Sequence, residues 1–275
     1  MDENKDQNKE QNNEPISEPR SNSHRNIDQY YYGRHAVMEL VKSGKNLNKL
    51  YLSKGIRENT VADFKRSLEG TGVPIKFIDR NIMDKMFPDK NHQGIAAEVS
   101  AKEYSQWEEI LERAEERGED PLILILDSIE DPHNLGAVIR TAEAAGVHGI
   151  IIPKNRSVML SETVAKTAAG ALENVLISRV TNLSQIIDKL KERNVWVYGT
   201  DLSGQSIYKG KITGATAIVL GNESKGVSPN ILKKCDVIIT IPMIGQVNSL
   251  NVSVATGVIL FELLRQRTSD GRDGK

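Results

Sequence analysis

The sequence predicts an α/β fold, because six short apolar segments alternate with helical segments in its C-terminal half. Strands that are apolar throughout are typical of a parallel sheet covered by helices on both faces. The predicted strands are residues 122–127, 149–152, 175–180, 195–200, 217–222 and 237–242. The predicted helices are residues 134–145, 161–169, 183–193, 229–235 and about 251–266. In the fourth of these, Ser228 and Pro229 form a favourable helix start.

Residues 30–100 predict a second, smaller α/β unit. In its first helix, Val37, Leu40 and Val41 fall on one face. The predicted helices are residues 33–43, 58–68 and 83–87, and the predicted strands are residues 49–52, 75–78 and 95–99.

The remaining segments are interpreted by composition. Residues 1–29 contain almost no apolar side chains, and such a segment cannot bury enough surface to offset its ordering entropy, so we predict a disordered tail. Residues 101–121 are acidic and predict a helical linker between two domains. Residues 122–266 form the second domain, and residues 267–275 a short tail.

Composition excludes several classes of protein. A single cysteine among 275 residues leaves no internal disulfide framework and fits a reducing compartment. No apolar run approaches the roughly 18 residues of a membrane helix, and the N-terminus lacks the apolar core of a secretory signal. The five histidines are scattered, so we expect no metal site. We therefore expect a cytoplasmic protein without a membrane partner.

The charge distribution is a weak indication of a polyanionic partner. The formal net charge is -1, but residues 30–100 carry 12 Lys and Arg against 8 Asp and Glu. A basic excess on one domain is typical of nucleic-acid binding. An ordinary solvated surface explains the same excess equally well.

Common catalytic motifs are missing. The chain has no G-x-G-x-x-G dinucleotide motif and no G-x-S-x-G nucleophile elbow. Residues 221–226 have the glycine spacing of a phosphate-binding loop but lack its lysine. Neighbouring lysines could activate Cys235, although a half-buried helix residue is the simpler interpretation. His133 could act as a general base or be an ordinary loop residue.

Three polar loops follow strand ends, where parallel sheets bind their ligands. They comprise residues 129–140, 221–226 and 242–255. Helix capping would explain one such polar residue, but not all three loops together. Because Arg140 lies not quite two helical turns after Asn134, we expect the two to face one direction. The candidate site residues are Asn134, Arg140, Glu223, Ser249 and Asn251.

These loops resemble the motifs of the SpoU/TrmH branch of the SPOUT RNA methyltransferases. The matching segments are DPHNLGAVIRTA (131–142), IVLGNESKG (218–226) and IPMIGQVNSLNVSVA (241–255). Upstream, YGRHAVMELV (32–41) and HQGIAAEV (92–99) resemble the ends of the RNA-binding domain of guanosine-2′-O ribosomal RNA methyltransferases. The resemblance covers residues 30–266.

The resemblance implies transfer of a methyl group from S-adenosylmethionine to a ribose 2′-hydroxyl of RNA, most closely a guanosine of 23S ribosomal RNA. It also implies a homodimer, an α/β/α N-terminal RNA-binding domain and a trefoil knot in the C-terminal domain. Two alternatives stay open at this point: a transfer RNA substrate, and a non-catalytic RNA-binding or ribosome-assembly protein.

The resemblance also assigns roles to residues. Thr200, Gly221, Ile241 and Leu250 are expected to line the S-adenosylmethionine pocket, and the five candidate site residues to form the catalytic shell around it. Arg140 matches the family's proposed proton acceptor. Because arginine is rarely deprotonated, we expect Arg140 to bind a phosphate and polarise the 2′-oxygen instead. Glu223 is expected to hold Asn134 or Arg140 in place.

Overall fold

The computed structural model describes residues 30–246 and 249–268. The predicted disordered tail, residues 1–29, and residues 269–275 of the predicted C-terminal tail lie outside the described residues. The described chain forms two sheets, one of four strands and one of six.

The N-terminal unit is a four-stranded sheet with helices on both faces. Its strands have the order β1-β4-β2-β3, and of the three pairs only β2 and β3 are parallel. Val37 and Phe64 pack on one face, and Met83 and Phe87 on the other, which gives the expected α/β/α layers. The elements are β1 (Tyr30–Tyr32), α1 (Arg34–Lys42), β2 (Leu47–Ser53), α2 (Glu58–Ser67), β3 (Ile75–Ile78), α3 (Arg80–Met86) and β4 (Ile95–Val99).

The C-terminal unit is a six-stranded, entirely parallel sheet with the order β10-β8-β9-β5-β6-β7. Its strands are β5 (Leu122–Asp127), β6 (Gly149–Pro153), β7 (Leu176–Val180), β8 (Trp196–Ser206), β9 (Thr216–Gly221) and β10 (Val237–Thr240). Its helices are α4 (Glu108–Glu116), α5 (Pro132–Ala144), α6 (Glu162–Ala168), α7 (Ala171–Asn174), α8 (Leu183–Glu192), α9 (Pro229–Leu232) and α10 (Val252–Thr268).

Two buried layers explain why the strands are apolar throughout. Successive side chains of a strand point to opposite faces, so Leu124 enters the core that includes α5, α6 and α10, whereas Ile123 and Ile125 enter the core that includes α4 and α8. Both faces of the sheet are therefore buried away from water. A strand with alternating apolar and polar residues would bury its polar side chains. The prediction of a parallel sheet covered on both faces is confirmed.

The boundaries differ from the predicted ones in few places. The short β1 and α7 were not predicted, and β8 extends to Ser206 instead of ending at residue 200. Residues 201–206 lack the apolar pattern of a strand, but after a register shift Gln205 and Ser206 pair with Ile239 and Thr240 of β10. Helix α10 continues through residues 267 and 268, which the sequence had assigned to the tail.

The acidic segment 101–121 contains a helix, α4, that packs on the larger sheet. Trp107 and Ile110 are buried in the same core as Ile123. Gly149 makes this approach possible, because a Cβ there would lie 2.5 Å from Cγ1 of Ile110. The helix thus contributes to the cover of the sheet, while its role as a linker stays our interpretation. Within the described residues, no helix combines the length and apolarity needed to span a membrane.

Candidate active site

A cleft of about 410 Å³ opens beside the middle of β8 and the carboxyl ends of β9 and β10. This volume lies in the range typical of small-molecule sites. Apolar side chains from β9, β10 and α10 line its interior, and polar groups from the loops stand at its rim. Its lining includes Leu220, Ile239, Val252 and Ile259 among the apolar residues, and Asp201, Asn222, Ser224, Lys225 and Thr240 among the polar ones.

All four residues expected to hold the cofactor line this cleft, namely Thr200, Gly221, Ile241 and Leu250. The hydroxyl of Thr200, within β8, donates a hydrogen bond of 2.9 Å to the Val219 carbonyl and so holds β8 against β9. The structure therefore brings these residues together from β8, from the ends of β9 and β10, and from the segment before α10.

Gly221 is required by a tight turn. The backbone of Asn222 and Gly226 pairs through two hydrogen bonds of 3.2 and 2.8 Å, so the loop folds back over Gly221. A Cβ at Gly221 would lie 2.0 Å from the carbonyl carbon of Gly226 and 2.1 Å from the nitrogen of Val227. Only glycine fits there, and the turn presents Glu223 to the cleft.

A hydrogen-bonded network joins the three polar loops. The Asn134 amide nitrogen donates to Oε1 of Glu223, and the Asn251 amide nitrogen donates to Oδ1 of Asn134 over 2.9 Å. Oδ1 of Asn251 accepts in turn from the backbone nitrogen and the hydroxyl of Ser253. Each amide is oriented by a partner on either side, and Glu223 both ends the network and lines the cleft.

The remaining candidates are placed differently. Ser249 lines the cleft. Arg140 is exposed, does not line the cleft, and makes no hydrogen bond with Asn134, Glu223 or Asn251. A separation of six residues corresponds to about 600°, which places Arg140 roughly 120° around α5 from Asn134. The expectation that both face one direction is therefore not met within one chain.

Two acidic residues were missed by the sequence interpretation. Asp127, the last residue of β5, is buried, and its carboxylate accepts a 2.8 Å hydrogen bond from the Ser228 nitrogen. It thereby ties β5 to the start of α9, beyond the Gly221 turn. Asp201 lines the cleft, and hydrogen bonds from Ser203 hold its pKa below the usual value. The available signal was an acidic residue at the end of an apolar strand for Asp127, and one directly after the predicted strand 195–200 for Asp201.

A second bond joins the segment after β5 to the Gly221 turn itself. The side-chain amide of Asn222 donates to the Ser128 carbonyl over 3.1 Å. Ser128 has a φ of 64°, a left-handed conformation uncommon for residues other than glycine. The segment after β5 and the loop after β9 are thus positioned relative to each other by two independent contacts.

Cys235 and His133, the alternative candidates for a nucleophile and a general base, do not form a catalytic site. Burial raises the pKa of Cys235 to about 11, and its thiol donates to the Ile231 carbonyl. A thiol with a raised pKa is a poor nucleophile. His133 lies in the first turn of α5, 3.4 Å from the Thr167 hydroxyl, and does not line the cleft. Residues 30–246 and 249–268 contain no group of three or more metal-ligating side chains.

Gly136, in the first loop motif, serves helix packing. A Cβ there would lie 2.5 Å from Cβ of Thr167 and 2.9 Å from the Val164 carbonyl, so glycine allows α5 to approach α6 closely. This close contact fixes the direction of α5 and with it the position of Asn134.

Comparison with known proteins agrees with this architecture. The family model described as SpoU rRNA Methylase family matches residues 121–261, and the model described as RNA 2'-O ribose methyltransferase substrate binding matches residues 30–105. Bacillus subtilis YacO, named as a TrmH family tRNA/rRNA methyltransferase, is 41% identical over 243 residues, covering 88% of this chain and 97% of its own.

Solved structures share the fold. The SpoU methyltransferase AviRb from Streptomyces viridochromogenes, in complex with the cofactor AdoMet, is 24% identical with a TM-score of 0.57, covering 90% of this chain and 95% of its own. The TrmH/SpoU tRNA modifying enzyme of A. aeolicus is 35% identical with a TM-score of 0.51, covering 60% and 85%. On the two family models and the identity to YacO, the chain belongs to the SpoU rRNA Methylase family.

Proposed function

We propose that this chain binds S-adenosylmethionine in the cleft and transfers its methyl group to a ribose 2′-hydroxyl of RNA. The observation that carries the proposal is the network in which Asn134 and Asn251 orient Glu223 at the cleft rim. Three loops that are distant in sequence converge there on one polar cluster.

The cleft fits S-adenosylmethionine in size and in chemistry. Its apolar lining suits the adenine ring, and the turn at Gly221 brings backbone groups to the wall without an intervening side chain. The carboxylates of Asp201 and Glu223 favour a ligand that carries a sulfonium and an ammonium group. When bound, the cofactor supplies an electrophilic methyl group.

The protein's own part is to position the hydroxyl and to receive its proton. Oε1 of Glu223 is occupied by Asn134, which leaves its second oxygen available to accept a hydrogen bond from a ribose hydroxyl at the cleft rim. Arg140 is assigned the adjacent phosphate and polarisation of the 2′-oxygen, since its guanidinium is exposed on the neighbouring helix. Ser249 lines the cleft, and Asn251 holds the Asn134 amide.

The preferred substrate is a guanosine of 23S ribosomal RNA. The N-terminal unit supports a ribosomal substrate, because the segments at both of its ends resemble that subgroup of the family. Transfer RNA is the second candidate, since YacO is named for both classes of RNA. A non-catalytic role in ribosome assembly is the third, and loss of cofactor binding would support it.

A homodimer, a trefoil knot and a cytoplasmic location belong to the same proposal. An exposed apolar stripe on α10 supports the homodimer, because Val254 and Phe261 are 52% and 50% exposed and lie seven residues apart on one helical face. A second copy that covers this stripe would remove both side chains from water.

The test uses S-adenosylmethionine with a labelled methyl group and total RNA from cells that lack this protein. We expect label in 23S RNA and none with the Glu223→Ala variant. Label in transfer RNA alone would keep the chemistry and change the substrate. If no RNA is labelled and S-adenosylmethionine does not bind, the proposed function is wrong.

A further inference from the structure

A second cavity, of about 290 Å³, lies where the two units meet, and we call it the junction groove. One wall is the turn with Gly72 and Pro74 in the N-terminal unit. The other is the loop of residues 154–159 after β6, and Glu130 lies at its edge. None of these residues lines the cleft.

The walls of the groove are held at a fixed separation by Arg179. Its guanidinium donates to the Lys154 carbonyl over 2.8 Å and to the Gly72 carbonyl over 3.4 Å, and it lies 5.6 Å from the centre of the Tyr104 ring. Gly72 has a φ of 71°, and a Cβ there would touch the Lys154 side chain at 3.4 Å. The groove is thus built by both units and is not a gap between them.

Two cations line this groove without a counter-ion. Within the described residues, no carboxylate lies in ion-pair distance of Lys154 or Arg156, whereas Arg34 and Lys54 of the N-terminal unit pair with Asp63 and Asp79. The side chain of Asn155 adds a neutral hydrogen-bond donor, whereas the Ser157 hydroxyl donates to the Val158 carbonyl over 3.4 Å. Cations beside neutral donors form the donor set that binds phosphate oxygens.

The groove is directly connected to the candidate active site. The Val158 nitrogen donates to the Ile129 carbonyl over 2.8 Å, which joins the groove loop to the segment that leads into Asn134. Strand β5 lies between β6, which precedes the groove, and β9, which precedes Glu223. Adjacent strands are about 4.8 Å apart, so the two sites are separated by roughly 10 Å along one edge of the sheet.

We propose that the junction groove binds backbone phosphates of the RNA strand next to the methylated nucleotide. The inference rests on the proposed function, because it takes RNA as the substrate. Lys154 and Arg156 neutralise the phosphates, and the Asn155 side-chain amide donates to their oxygens. Such contacts set the register of the strand without reading its sequence. Glu130, a carboxylate at the edge of the groove, opposes phosphate binding.

The test compares variants in binding to a fluorescein-labelled single-stranded RNA of mixed sequence, by fluorescence anisotropy at several salt concentrations. The groove variant is Lys154→Gln with Arg156→Gln. Its matched control is Arg117→Gln with Arg193→Gln. These two exposed cations precede β5 and β8, so they lie at the ends of the strands opposite to the groove. Glu130→Gln removes the opposing charge. S-adenosylmethionine binding and thermal unfolding are measured for every variant, to show that fold and cleft are intact.

The salt dependence gives the decisive result. We expect the slope of log Kobs against log salt to become shallower by about 1.4 in the groove variant, or about 0.7 for each lost phosphate contact. For each tenfold rise in salt concentration, the binding constant of the groove variant should therefore fall roughly 25-fold less than that of the wild type. The control should keep the wild-type slope, and Glu130→Gln should bind more tightly than wild type.

The outcomes separate this inference from the proposed function. Equal slopes for the groove variant, the control and the wild type would overturn the proposed phosphate binding in the junction groove, even if methyl transfer to RNA is observed. A wild-type chain that does not bind the RNA would also overturn it. A shallower slope in the groove variant alone would support the groove, even if no methyl transfer is found.

Discussion

Asn134 and Glu223 lie 89 residues apart in sequence and are joined by a hydrogen bond from the amide nitrogen to Oε1. The two residues follow neighbouring strands, β5 and β9, so the parallel sheet itself brings them together. Asn251 binds the other end of the Asn134 amide. Asn134 is therefore the central member of the network, and its removal leaves a donor and an acceptor without partners.

Replacing Asn134 by alanine should lower turnover by about 100-fold, the loss typical when a catalytic group is misplaced by about 1 Å. S-adenosylmethionine affinity should change little, because Asn134 does not line the cleft. Single-turnover methyl transfer and calorimetric binding measure the two effects. Asn182→Ala is the matched control, since Asn182 caps α8 far from the cleft. Near-normal turnover of Asn134→Ala would remove the network from the mechanism.

Replacing Gly221 by alanine should abolish measurable cofactor binding. The added Cβ would lie 2.0 Å from the backbone of Gly226, so the turn that carries Glu223 must open. Gly210→Ala is the control, because the nearest atom to a Cβ there is 3.9 Å away. Calorimetric titration with S-adenosylmethionine measures the difference. Unchanged affinity in Gly221→Ala would show that the cofactor does not use this wall.

His148 should make the protein less stable in mild acid. Burial lowers its pKa below the usual value of 6.5, against the opposing effect of Glu119. The unfolded chain then binds the proton more tightly than the folded chain, so the free energy of unfolding falls as the pH drops below 6.5. Chemical unfolding at pH 7.5 and 5.5 should show a smaller pH dependence in His148→Gln than in the wild type.

The exposed His35 provides the control for this experiment, and His35→Gln should retain the wild-type dependence on pH. If His148→Gln loses as much stability as the wild type between the two pH values, another group is responsible.

Placing a charge on the α10 stripe should dissociate the proposed homodimer. Phe261 is half exposed, and an aspartate there would be buried without a partner if a second copy covers the stripe. Sedimentation should find a dimer for the wild type and a monomer for Phe261→Asp. Trp196→Asp changes an equally exposed aromatic residue and should remain dimeric. A monomeric wild type would contradict the homodimer.

Much of the fold could be predicted because the larger sheet is buried on both faces. Continuous apolar strands such as residues 122–127 leave little choice of structure, and the observed β5 has these bounds. By contrast, the end of β8 is set by pairing with β10, which is a tertiary contact. No local pattern in residues 201–206 indicates it.

The site shows the same division. The cleft residues Gly221 and Leu250 were predictable from motifs at strand ends, and both line the cleft. The role of Asp127 could not be predicted, because its hydrogen-bond partner Ser228 is 101 residues away in sequence. Helix spacing alone places Arg140 roughly 120° around α5 from Asn134, but it does not indicate what an exposed side chain contacts.

The most direct test of the account asks which atom of RNA receives the methyl group. RNA labelled by the wild-type protein is hydrolysed in alkali, which cleaves only next to a free 2′-hydroxyl. We expect the label to remain in alkali-resistant dinucleotides, and we expect Arg140→Ala to produce no labelled RNA while still binding S-adenosylmethionine. Label released in mononucleotides would mean methylation of a base and would contradict the account.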